Sequence, residues 1–97
     1  MSNTIDSQAF DLAMRVLNYA IEFVNLPGYS SLRLTDVLQG LVDLYFQMDS
    51  ISNKKFYEKI RKKFDERKLM SDPEDSTKFL DELLTMFVNE WREKKAN

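Results

Sequence analysis

Eight of the fourteen basic residues fall within one short segment: Lys54, Lys55, Lys59, Arg61, Lys62, Lys63, Arg67 and Lys68. Set against Glu58, Asp65 and Glu66, they leave residues 54–69 at +5 (eight minus three), so the remainder must carry −7 to give the chain's net −2. A basic amphipathic helix of this kind can meet nucleic acid, an anionic membrane or an acidic partner. Lys55, Lys59 and Lys62 are the candidate anion-binding residues. The basic residues as a whole, however, spread around nearly the entire polar arc of the segment, with the three acids among them. Lys54–Glu58, Arg61–Asp65 and Lys62–Glu66 are four apart, the spacing at which opposite charges pair along a helix. A solvated face is the simpler expectation, and nucleic-acid binding is the alternative.

A second constellation lies in the connection from Leu26 to Leu34. Tyr29, Ser31 and Arg33 could together contact an anion or a carboxylate. The competing reading has Tyr29 covering the end of the core and Arg33 paired with Asp36 or Glu22. Carboxylates are the third place to look. Asp36 and Asp43 are one heptad apart and Asp81 and Glu82 are adjacent, but all four fall on polar faces. Magnesium can be held by one or two carboxylates plus a phosphate substrate, which keeps a metal-assisted nucleotide enzyme as a further alternative.

The chain has no His and no Cys. That removes disulfides, thiol nucleophiles, the usual zinc sites and the side chain most often used as acid or base near neutral pH. No glycine-rich phosphate loop is present. These readings give no catalytic residue, no metal ligand and no cofactor, and they lead to a non-enzymatic interaction or regulatory module. Residues 1–8 lack a basic start and an apolar middle. The longest apolar runs are three residues, far below the ~18 needed to span a bilayer. The expected setting is the cytoplasm, with no membrane partner.

These side chains must be positioned by helices. Two glycines and two prolines in 97 residues are too few for a turn-rich fold and suit long helices with short links. From Gln8 to Val24 two apolar stripes run side by side: Phe10, Met14, Leu17, Ile21 and Val24, then Leu12, Val16, Tyr19 and Phe23. Ala9, Ala13 and Ala20 lie between them. The apolar arc is about 240° wide, against the ~100° of a surface helix. The first helix, over about 7–25 with Asp6 or Ser7 as its cap, is therefore expected to be central.

A second helix is expected over 32–48 and a third over 54–69, capped by Ser52 or Asn53. A fourth, over 73–94, opens on Asp72-Pro73-Glu74-Asp75. Gly40 stands inside the second, at a cost of about 1 kcal/mol relative to Ala. The third has only Phe56, Tyr57, Ile60 and Phe64 as a narrow apolar stripe, so it is expected to be the most exposed and least firmly held. The whole reads as one domain, an all-α, four-helix bundle with antiparallel neighbours.

Leu26-Pro27-Gly28-Tyr29 followed by Leu32-Arg33-Leu34 and Asp36, after an apolar first helix, resembles an uncharacterised family of roughly hundred-residue all-helical archaeal and bacterial proteins. The likeness is firmest from about Leu17 to Leu44. It implies a helical fold and supplies no activity and no site residues.

Because the narrow third stripe cannot cover the wide arcs of the other helices, apolar surface should remain for a second copy. Leu12, Val16, Tyr19 and Phe23 are the candidate interface, and a homodimer is the expected assembly.

Overall fold

The computed structural model describes residues 5–26, 30–66 and 73–96, apart from the side chains at 73, 74 and 94–96. Within them lie four helices and no strand: α1 (Ile5–Phe23), α2 (Ser30–Gln47), α3 (Lys54–Glu66) and α4 (Pro73–Ala96). Each packs on its neighbour in sequence and α1 also packs on α4, closing the ring of a small bundle. No helix among the described residues is long and apolar enough to cross a membrane.

Local chemistry explains the boundaries. Pro73 opens α4, where its missing N–H is one of the donors left over at a helix start. The expected cap Asp72 and the Pro27-Gly28 turn lie outside the described residues. At its other end, α2 is closed by the Lys54 ammonium, which donates to the Tyr45 carbonyl at 3.0 Å and also to the Met48 carbonyl. These are carbonyls at the end of a helix, where the dipole favours a cation.

One capping expectation is corrected. Asp6 and Ser7 lie inside α1, which begins at Ile5, and the Asp6 carboxylate accepts hydrogen bonds from the Ser52 amide, at 2.8 Å, and from the Ser52 hydroxyl. Asn53 does stand at the cap position of α3, its carbonyl accepting from the Tyr57 amide at 3.4 Å, and its side-chain amide donates to Glu90 on α4, 2.8 Å away. Both linker side chains therefore tie helices together across the fold.

The core is built on aromatic rings, three of which come from α3. Phe56 lies 4.9 Å from Phe87 of α4, 5.8 Å from Phe10 of α1 and 5.2 Å from Tyr57, which in turn lies 5.3 Å from Tyr45 of α2. Phe10 closes the triangle with Phe87 at 5.3 Å, and Phe64 pairs with Phe79 at 5.2 Å. All four apolar residues of α3 are at most 5% exposed. The expectation that α3 is loosely held is therefore overturned. A narrow stripe limits how many residues a helix contributes, and says nothing of how deeply each is set. Here the four are large, and Phe56, Tyr57 and Phe64 meet rings from the other helices.

α1 is central, as its wide apolar arc predicts, but it is not enclosed all round. It meets α2 and α4 along its length and reaches α3 through Phe10. Ala13, Leu17 and Ala20 are fully covered, and Val16 is buried. Leu12, Tyr19 and Phe23 are not, so the second stripe is only partly enclosed. α2 and α4 occupy the arc on either side of the alanines, and no described element covers what lies beyond Val16.

Candidate interaction surfaces

On α1 the exposed positions Ile5, Leu12 and Tyr19 are spaced by seven, with Phe23 four further on. At 100° per residue they form one narrow row. On α2 the exposed Val37 and Leu44 are also seven apart, flanked by the half-buried Leu34, Leu41 and Met48.

Both rows lie on the same side of the bundle. On α2, Asp43 and Phe46 reach α3 through Arg61, and they fall on the opposite flank from Val37 and Leu44. The latter pair is therefore on the flank turned toward α1. On α1, Phe10 meets α4 across the buried arc from Leu12 and Tyr19, which places those two on the flank turned toward α2. The outer face of the α1–α2 pair is thus lined by Ile5, Leu12, Tyr19 and Phe23 on one helix and Val37 and Leu44 on the other.

Of the candidate interface, three residues stand on this face, and Val16, at 8% exposure, forms its floor. Ile5, Val37 and Leu44 share this exposed face without being among the candidate residues. Their signal was present in the seven-residue spacing to Leu12 and in the 3-4 alternation from Leu34 to Met48.

The basic helix divides its charges by direction. Arg61 donates to Asp43 at 2.9 Å and stacks its guanidinium over the Phe46 ring, 4.4 Å from the centroid. Lys63 pairs with Glu82 of α4 at 2.9 Å and more distantly with Glu66. That hydrogen bond raises the Lys63 pKa and lowers that of Glu82. Lys54 closes α2. The expected pairs along the helix give way to these, because the flanks of α3 point at carboxylates and carbonyls on its neighbours. Lys55, Lys59 and Lys62 remain, exposed and on the side away from Ile60, with no ion pair among the described residues.

Of the Tyr29, Ser31 and Arg33 constellation, Ser31 and Arg33 are among the described residues. Tyr29 lies outside the described residues. The Ser31 hydroxyl donates to the Ala20 carbonyl at 2.8 Å, binding the start of α2 to the end of α1, and the Thr35 hydroxyl donates to the Ser31 carbonyl. Arg33 is exposed.

No protein-family model, curated protein or solved structure matches the chain.

One buried polar cluster completes the inventory. Burial pushes the Tyr57 phenol far above the ordinary tyrosine range, helped by Tyr45, Asp6 and Glu90 nearby, and burial also raises Tyr45. The Tyr45 hydroxyl is enclosed without a hydrogen-bond partner among the described residues. Both phenols thus stay neutral through the ordinary pH range. No three carboxylates among the described residues converge on a point that could hold a metal ion. Asp43, one of the acids considered for such a role, is paired with Arg61.

Proposed function

We propose that this chain is a non-enzymatic helical protein-interaction module acting in the cytoplasm, and that it engages its partner through the outer face of α1 and α2. One observation carries the reading: six large apolar side chains from two adjacent helices are exposed together, while the rings of α3 are enclosed. The largest contiguous apolar patch on a protein is often a functional one.

A photo-crosslinking amino acid at position 19 tests this in cells, with position 59 on the outer side of α3 as its counterpart. Covalent adducts with a defined protein from position 19 and none from position 59 are expected. Adducts from position 59 alone would overturn the assignment of the face.

Lys55, Lys59 and Lys62 support a second reading, nucleic-acid binding, because they are the basic residues of α3 left without an ion pair among the described residues while Lys54, Arg61 and Lys63 are engaged. Contacts to phosphate by three lysines would give a salt slope of about −2 to −3 in log–log form. Lys59→Glu with Lys62→Glu should abolish that binding. An unshifted DNA or RNA probe at low salt with the parent protein would remove this reading.

A further inference from the structure

The exposed face is self-complementary. Ser31 touches the Ala20 carbonyl, so residue 31 of α2 is level with residue 20 of α1. Antiparallel helices advance in opposite directions at the same rise, so Leu12, eight residues back, is level with residue 39 and within one residue of Gly40. About the line joining Leu12 and Gly40 four of the other five apolar positions pair off, while Phe23, eleven residues beyond Leu12, has no counterpart among the described residues. Ile5 and Tyr19 lie seven residues to either side of Leu12, while Val37 and Leu44 lie three before and four after Gly40.

A two-fold axis along that line would set Leu12 on Leu12, Ile5 on Tyr19 and Val37 on Leu44 of a second copy. Along the rim it sets Arg15 against Gln8 and Arg33 against Gln47, so no like charges are opposed. An arbitrary partner would require none of this balance.

Gly40 is an independent sign. It stands in the middle of α2, between Val37 and Leu44 on the exposed face, where glycine weakens a helix relative to alanine. A Cβ added there meets nothing within 4 Å, so packing inside the chain does not call for glycine. Close approach of another backbone does.

The area is also adequate. At 36–52% exposure the six side chains leave on the order of 500 Å² of apolar surface, near the upper end for the largest patch on a monomer. Covered by its own copy together with the polar rim, this face would bury roughly 1,200–1,600 Å² in total, a standard-size interface.

We infer that the partner of the α1–α2 face is a second copy of this chain, docked about a two-fold axis through Leu12 with the two α2 helices in close contact at Gly40. This rests on the interaction reading above and names its partner.

Sedimentation equilibrium on the full chain, up to roughly 500 µM so that even a micromolar interface is saturated, should give twice the 11.5 kDa chain mass. Gly40→Lys places two side chains and two cations at the contact, and should raise the dissociation constant at least tenfold while the helix content is retained. Because the chain has no cysteine, Leu12→Cys provides a geometric check: mild oxidation should link two copies through position 12. Lys59→Cys, which leaves the α1–α2 face intact, should form no such link under the same conditions.

A Gly40→Lys protein that associates as tightly as the parent would overturn the inference, as would a Lys59→Cys protein that crosslinks as readily as Leu12→Cys. A parent that stays monomeric while position 19 is captured by a different protein refutes the second copy and leaves the interaction reading standing. A monomeric parent with no adduct from position 19 refutes both.

Discussion

Replacing Phe56 by alanine tests whether α3, despite its charge, is the hub of the core. Phe56 is 5% exposed, and three rings lie within 5.8 Å of its own, those of Phe87, Tyr57 and Phe10. Removing a buried phenylalanine ring costs about 3–5 kcal/mol, part transfer and part cavity. Each ring pair adds about 0.5–1.5 kcal/mol beyond the area it buries, and three pairs place this site in the upper half of that range. Against a total stability of about 5–15 kcal/mol, the variant can come close to unfolding.

Phe56→Leu is therefore the companion, with an expected loss of about 1–2 kcal/mol, since most of the apolar volume is kept. Leu32→Ala is the control, because Leu32 is 42% exposed and should cost under about 1 kcal/mol. Urea unfolding followed by circular dichroism reads all three. With a slope of about 1–3 kcal/mol per molar urea, a loss near 4 kcal/mol moves the midpoint by more than ~1 M. If Phe56→Ala costs no more than Leu32→Ala, α3 is a peripheral element and the aromatic hub is an error.

Other outcomes are expected from the same geometry. Tyr45→Phe removes a buried hydroxyl that has no partner among the described residues, and should be neutral or stabilise by up to about 1 kcal/mol; a loss above ~1 kcal/mol on thermal unfolding would show that the hydroxyl is bonded. Tyr57 has its folded pKa raised by burial, so both states are neutral below the ordinary tyrosine value of ~10 and the unfolded chain alone ionises just above it. Stability contributed by the neutral phenol is therefore complete below pH ~10 and falls above it by up to about 1.4 kcal/mol per pH unit. Tyr57→Phe should flatten that alkaline decline, and an unchanged slope would count against the buried phenol. Gly40→Ala, in open space at a helix interior, should raise monomer stability by about 1 kcal/mol, a rise of about 4–8 °C in melting temperature, read at a concentration where the protein is monomeric.

The periodicities of residues 8–24 and 79–91 place helices correctly because a helical stripe is a property of nearby residues alone. Depth is not. Phe56, Tyr57, Ile60 and Phe64 look meagre beside the double stripe of α1, yet they are enclosed because three other helices turn rings toward them. Leu12 and Tyr19 look destined for burial, yet they are left out because four helices do not supply a neighbour for every apolar flank. The same limit separates the cations. Arg61 and Lys63 are distinguished from Lys59 and Lys62 by what α2 and α4 hold opposite them, which no spacing within α3 records. Ser31 and Asp6 each find acceptors or donors 11 and 46 residues away, beyond any local capping rule.

The turn between α2 and α3 is cross-braced on every side: Ser52 to α1, Asn53 to α4, and Lys54 back to the last carbonyls of α2. A joint anchored in this way cannot swing open as a hinge without releasing all three ties at once. That disfavours exchange of α3 between chains as a route to assembly, and makes this corner a poor place to splice in a tag or a foreign loop. An engineer wanting to fuse, label or circularise the molecule should leave residues 48–54 intact.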